Sequence, residues 1–302
     1  MTSRLVSVGN VIVDLTVTIN SLPERGGDVV GESHGAAAGG SFNTMVAAAR
    51  QGLPTAYGGA HGTGPFGDLV RSALAAEAVA VLGGPTPDRD TGFDVALTDG
   101  GGERTFVTVF GAEATLTRNA LEGIRVSPGD FVHVSGYGLL ERTNGRVLSP
   151  WLELLEPGVT VLFDPGPLVG DIPADVMARV ASRADWLSCN LREARILTGA
   201  TDESSAAVAL RERFANVVVR LSERGCLVAT HERSTLVPGF EVDVVDTNGA
   251  GDTHAGAFIA ALARGESPVR AALFANAAAA LSVTRRGPAT APQRDEVEKF
   301  MG

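Results

Sequence analysis

The chain has 302 residues, 44% hydrophobic and 20% charged, enough to bury a full core as one large domain or two small ones. With 25 basic and 35 acidic residues the net charge is −10, which argues against a nucleic-acid surface and leaves no basic run for a membrane. Lys299 is the only lysine, which excludes a Walker-type phosphate loop and the strand lysine of a protein kinase, so phosphate chemistry here must rest on backbone N–H groups, arginine and metal ions.

The apolar run Leu5-Val6-Ser7-Val8 reads as a first strand. Asn10 and Asp14 follow it without a small-residue cleavage site, unlike a signal peptide. Residues 14–20 and 27–33 alternate with period two around a turn at Pro23, Gly26 and Gly27. Gly39 and Gly40 precede a helix over 43–51; their bared backbone and the Asn43 amide suit the hydroxyls of a polyol, or else a tight turn with Asn43 as cap. A helix over 65–75 follows Gly62-Thr63-Gly64-Pro65-Phe66-Gly67, which fits G-x-G-x-x-G. Pro85 and Pro87 break the stretch before Asp88 and Asp90, and no apolar second strand carries those acids, which counts against a dinucleotide site.

Residues 93–98, the glycines after Asp99 and residues 104–110 spell a β-hairpin. The two ribbons form either a flap over a ligand site or a peripheral extension of the sheet. Beyond them, Val-rich runs at 131–134, 159–163 and 217–219 suit a parallel sheet covered on both faces, with helices over 171–182, 193–198 and 204–214 between them. The expected fold is α/β, a doubly wound and mostly parallel sheet flanked by helices, with a small β-sheet lid. Residues 1–13, 37–91 and 112–302 would form the core and 14–36 and 92–111 the lid. The longest apolar stretch, around 277–281, is too short to span a bilayer. Two cysteines, Cys189 and Cys226, are too few for a disulfide framework or a thiolate metal site and point to a reducing cytoplasm. The five histidines show no metal spacing; His133 and His254 read as packed side chains.

The most informative segment runs from Val244-Val245-Asp246-Thr247-Asn248 through Gly249-Ala250-Gly251-Asp252 into Thr253-His254-Ala255-Gly256. An apolar strand ending at Asp246, a small-residue turn and a helix from about Gly251 to Ala261 are expected. Gly249, Ala250 and Gly251 leave no bulk around the first helical N–H groups, which suits an anionic oxygen in the field of a helix N-terminus. Asp252 in the first turn is placed to accept a proton from an attacking hydroxyl. Read alone it would be an ordinary cap; the Gly-Ala-Gly before it and Asp246 six residues upstream favour chemistry.

Together, Asp-Thr-Asn-Gly-Ala-Gly-Asp-Thr-His-Ala-Gly and Gly39-Gly40 through Asn43 resemble the two signatures of the ribokinase-like (pfkB) family of carbohydrate and nucleoside kinases. The resemblance extends to Gly9-Asn10 through Asp14, the turn from Gly62 to Asp68, Asn190-Leu191-Arg192-Glu193 and Asn276. Tyr137 and the Glu103-Arg104-Thr105-Phe106 stretch look closer to a bacterial sugar-kinase branch of unsettled substrate. It implies a cytoplasmic, ATP- and Mg²⁺-dependent phosphotransferase acting on a sugar or nucleoside, with a homodimer formed through the lid. By the same resemblance Asp252 is the catalytic base and Gly249, Ala250 and Gly251 the anion hole. Asp14, Gly39, Gly40, Asn43, Ile12 and Tyr137 would bind the sugar. Asn190, Arg220, Ser222, Gly225 and Asn276 would bind the nucleotide, and Glu193 would organise Mg²⁺ through water. A monovalent-cation (K⁺) loop would map to Asp246, Asn248, Ser282, Arg285 and Gly287.

Three departures qualify the match. Arg220-Leu221-Ser222-Glu223-Arg224-Gly225 replaces the usual Thr-x-Gly, so Arg220 either reaches the ATP phosphates or is a surface cation. Asp164-Pro165-Gly166-Pro167 replaces Asp-Pro-Asn, removing a polar contact. Ile12 stands where a polar residue often faces the sugar, which disfavours D-ribose. The alternatives are a nucleoside kinase of the same fold, a non-catalytic sugar or nucleotide sensor, and an NAD oxidoreductase.

Overall fold

The computed structural model describes residues 3–101, 103–140 and 143–302. Its strands are β1 (Leu5–Ser7), β2 (Val11–Thr18), β3 (Glu32–Gly40), β4 (Thr55–Tyr57), β5 (Ala80–Val81), β6 (Phe93–Thr98) and β7 (Arg104–Val109). They continue with β8 (Phe131–Ser135), β9 (Thr160–Asp164), β10 (Trp186–Asn190), β11 (Asn216–Arg220), β12 (Cys226–Ala229) and β13 (Ser234–Val237). The helices are α1 (Ser41–Arg50), α2 (Pro65–Ala76), α3 (Arg118–Glu122), α4 (Gly145–Glu153) and α5 (Ala174–Arg183). After these come α6 (Leu191–Thr198), α7 (Glu203–Arg211), α8 (Ala250–Ala263), α9 (Pro268–Ser282) and α10 (Arg294–Met301).

Nine strands form one sheet in the order β13-β12-β11-β10-β9-β8-β1-β4-β5, parallel except for the antiparallel edge made by β12 and β13. Its continuous Val runs are explained by burial on both faces. In β11, Val217 and Val219 join the core under Leu148, Val180 and Leu210, whereas Val218 packs on the opposite side with Phe258 and Phe274. The Ala-rich α8 and α9 lie on that second side, where small side chains let helices pack closely. Strands β3-β2-β6-β7 form a separate small sheet, with β2 parallel to β6 and the other pairs antiparallel. The expected α/β sheet with a small second sheet is therefore observed.

Three local expectations need correction. The antiparallel partner of β2 is 32–40 rather than 27–33, with Asp14 opposite Ala37 and Val11 opposite Gly40. Its Ala/Gly-rich sequence lacks strand-forming residues and is held by pairing instead. As a result β2 and β3 run past the expected edges of the lid at 14 and 36. The segment before Gly249 is not a strand: Val244 and Val245 are 61% and 53% exposed, and the amides of Val245 and Asp246 both donate to the Val283 carbonyl at 2.8 and 3.0 Å. In the G-x-G-x-x-G turn, the amides of Phe66 and Gly67 donate to Asp90 at 3.1 and 2.7 Å. The chain's own carboxylate thus closes that helix mouth to a dinucleotide phosphate. Among the described residues, no helix is long and apolar enough to cross a membrane.

Candidate active site

In parallel α/β sheets the carboxyl ends of the strands point at the ligand crevice. Here Ser135, Asp164, Asn190 and Arg220, the last residues of β8, β9, β10 and β11, all line one cleft of about 470 Å³. The small sheet forms its other wall, through Asp14, Asp94, and Arg104, Phe106 and Thr108 on one face of β7. A second cleft of about 420 Å³ adjoins it and is lined by Ser222, Gly225, His254 and Asn276. Asn190, Arg220, Ala250 and Gly251 border both, so the N-terminus of α8 stands where the two clefts meet.

Gly249 caps α8 at φ +71°, in the left-handed region that glycine enters without a Cβ clash. The Ala250 amide makes a long bond to the Thr247 carbonyl at 3.3 Å, while those of Gly249, Gly251 and Asp252 have no protein acceptor among the described residues. This leaves donors at a positive helix end facing the junction of the clefts. Asp252 does not cap the helix. Its carboxylate accepts from Thr44 Oγ1 at 3.1 Å and Asn43 Nδ2 at 3.4 Å, both on α1. Burial and the Asp164 carboxylate push its pKa up to about 7, against the lowering effect of Asn43, Thr44 and Arg220. Asn43 itself is no cap either, since Gly40 holds that place.

Arg220 is not a surface cation. Its side chain is only 13% exposed and donates to Asp164 at 2.9 Å and Ser188 at 2.6 Å, with Glu193 3.6 Å away. Glu193 and Asn190 form a capping box at the start of α6, in which the carboxylate accepts the Asn190 N–H and Nδ2, both at 2.8 Å. Its oxygens are already engaged, so it suits a hydrated ion better than direct ligation. Among the described residues no group of three His, Cys, Asp or Glu side chains forms a direct metal site.

Asp14 and Asp94 are Cα partners on β2 and β6 and both line the first cleft. Burial and the neighbouring carboxylates Asp94 and Asp252 raise the pKa of Asp14 to about 8, partly offset by the Asn248 side chain; burial raises that of Asp94 to about 6. A Cβ at Gly39 would overlap the Asp14 carboxylate, so glycine there leaves that carboxylate in place. Ile12, Gly40 and Tyr137 line the same cleft. Burial and the surrounding carboxylates raise the Tyr137 phenol to about 12, which keeps it a neutral donor.

The proposed monovalent-cation loop has a different character. Asp246 accepts the amides of Asn248 and Gly287 at 2.8 and 2.9 Å and pairs with Arg104 of β7. Arg285 pairs with Glu296, and Ser282 donates to Ala279 at 2.8 Å. This donor set satisfies the carboxylate with N–H groups and a guanidinium and does not fit an oxygen-lined cation site.

The residues selected for catalysis, sugar and nucleotide therefore converge on two joined clefts, with Gly39 behind Asp14, whereas Asp246, Ser282, Arg285 and Gly287 of the cation loop line neither. Sequence reasoning missed Asn10, Thr44, Asp94, Arg104 as a cleft residue, and His254 as a lining residue of the second cleft. A polar residue on an alternating strand marked Asp94, but only the β2–β6 pairing places it beside Asp14.

A family profile described as pfkB family carbohydrate kinase matches residues 2–295. The chain belongs to the pfkB family of carbohydrate kinases and is a kinase of the ribokinase-like fold. It is similar to the uncharacterized sugar kinase YegV of Escherichia coli strain K12, 34% identical over 96% of this chain and 91% of that protein. The ATP-dependent ribose-1-phosphate kinase of Halopiger xanaduensis is 32% identical over 99% of this chain and 98% of its own. Among solved structures, Arabidopsis thaliana ribokinase complexed with ribose and ATP superposes with a TM-score of 0.83 at 26% identity, covering 100% of this chain and 99% of that one.

Proposed function

We propose that this kinase transfers the γ-phosphoryl group of ATP to a hydroxyl of a small sugar or sugar derivative. Asp252 acts as general base, and Gly249, Ala250 and Gly251 form the anion hole. The observation that carries this reading is the position of α8: its open amides face the meeting point of two clefts, and Asp252 lines only the one walled by the small sheet. The acceptor would lie in that cleft against Asp14, Gly40 and Asn43. The nucleotide would occupy the other, against Ser222, Gly225 and Asn276, with its phosphates toward Asn190 and Arg220.

As the acceptor oxygen attacks the γ-phosphorus, its proton passes to Asp252, the new O–P bond forms and the bond to the ADP oxygen breaks. The amides of α8 and the Arg220 guanidinium neutralise charge on the migrating group; positioning and charge neutralisation supply most of the catalysis in such transfers. Mg²⁺ carried by the nucleotide would be held through water by Asn190 and Glu193 and would shield the triphosphate charge. The small sheet excludes water, which otherwise competes as acceptor.

The test is ATP consumption measured against a panel of ketohexoses, pentoses, sugar acids and nucleosides, for the wild type and Asp252→Asn. Turnover on a free sugar, with kcat lowered by about 10²–10⁴ in the variant and ATP affinity nearly unchanged, is the expected result. Wild-type turnover by Asp252→Asn would remove Asp252 as base. Exclusive turnover of nucleosides would replace the sugar acceptor.

A further inference from the structure

Building on the kinase reading above, we infer that Asp94 is a second acceptor-binding carboxylate, which with Asp14 makes the pocket select uncharged or amino-bearing polyols and reject anionic sugars. Parallel pairing of β2 with β6 sets the two aspartates side by side in register, both lining the first cleft. Asp94 is only 8% exposed, yet its Oδ1 has no hydrogen-bond partner. A buried carboxylate oxygen without a donor is destabilising, whereas an uncharged side chain at the same strand position would not be. The arrangement makes sense if a ligand brings the donor.

The unpartnered atoms nearby point the same way. Both polar atoms of the Asn10 side chain, Ser41 Oγ and Asn43 Oδ1 are buried without partners, and all three residues line the same cleft as Asp94. Of the buried side-chain atoms without partners in the described residues, all but Gln51 Oε1 and His61 Nδ1 belong to residues lining one of the two clefts. Carboxylate, amide and hydroxyl groups so arranged are matched by a ligand rich in O–H or N–H donors.

Beside Asp14 and Asp94 the charge balance decides against a second anion, one carried by the acceptor itself. The two partly buried arginines of the cleft are already paired, Arg220 with Asp164 and Glu193, and Arg104 with Asp246. Arg192 lies exposed at the rim. Among the described residues no cation forms an ion pair with Asp14 or Asp94, and Asp252 adds a third carboxylate close enough to act on Asp14. Burial, and after it the charges of Asp94 and Asp252, raise the pKa of Asp14, and burial raises that of Asp94. A carboxylate or phosphate on the acceptor would meet this field, and like-charge juxtaposition is an effective device for exclusion.

Isothermal titration of the wild type and Asp94→Asn tests this directly, using D-ribose, D-fructose and D-glucosamine against D-gluconate, D-glucuronate and D-ribose 5-phosphate. The wild type should bind at least one neutral or amino sugar at least tenfold tighter than any of the anions. Asp94→Asn should weaken that binding by about tenfold or more and narrow the gap, while a non-hydrolysable ATP analogue binds as before. Its ligand-free melting temperature should equal or exceed that of the wild type, because a strained buried charge has been removed. Unchanged sugar affinity, an anion bound as tightly as the neutral sugars, no sugar bound, or a lower melting temperature would each overturn the proposal. Asp94→Ser supplies the same readouts if Asp94→Asn does not fold. Asp94-dependent sugar binding without phosphate transfer would sink the kinase reading while leaving this inference standing.

Discussion

Asp252 shows how a single residue is tuned by what touches it. Burial and the Asp164 carboxylate raise its pKa to about 7, and Asn43, Thr44 and Arg220 keep it from rising further. A base must be deprotonated to act, and kcat/KM follows the ionisation of the free enzyme. The acceptor kcat/KM should therefore climb up to tenfold per pH unit below about 7 and level off above it. Asp14 also titrates in this region, near 8, so Asp14→Asn separates the two: the variant should keep the limb near 7 while its acceptor KM rises. A rate independent of pH between 5.5 and 8.5 would contradict the assignment of Asp252.

At the level of elements, the small sheet and the loop before α8 are joined by one ion pair. Arg104 on β7 reaches Asp246, whose other oxygen holds the Gly287 amide, and the Asn248 amide also binds Asp246 just ahead of Gly249. The lid strand thus bears on the backbone that presents the proposed anion hole. Arg104→Ala should raise the acceptor KM about tenfold and increase ADP release without acceptor relative to coupled turnover, with partial recovery in Arg104→Lys. An unchanged ratio of uncoupled to coupled ADP release would show that the pair only decorates the surface. This tether was invisible in sequence because its partners are 142 residues apart. The α/β class, most helices and the Gly249–Asp252 turn were legible because each depends on local pattern or a contiguous motif. The β2–β3 pairing and Asp94 were not, since an Ala/Gly strand carries little propensity and a lone aspartate acquires meaning only from its neighbour across the sheet.

Across the whole molecule, the cost of assembling this site should appear as a pH dependence of stability. Asp14, Asp94 and Asp252 have folded-state pKa values raised from 3.8 to about 8, 6 and 7, so their stabilising protonated forms are lost as pH rises through those values. The buried histidines act in the opposite sense and in another window. His133 and His254 are lowered from 6.5 to about 4 and 3, so they reduce stability only as pH falls below 6.5. Between pH 6.5 and 8.5 it is Asp14 and Asp252 that lose their protonated forms. The ligand-free melting temperature should therefore fall by several degrees from pH 6.5 to 8.5, and Asp14→Asn should flatten that fall. A melting temperature that holds or rises over this range would mean that solvent reaches these carboxylates in the folded protein. Their burial would then no longer distinguish the cleft from an ordinary acidic surface.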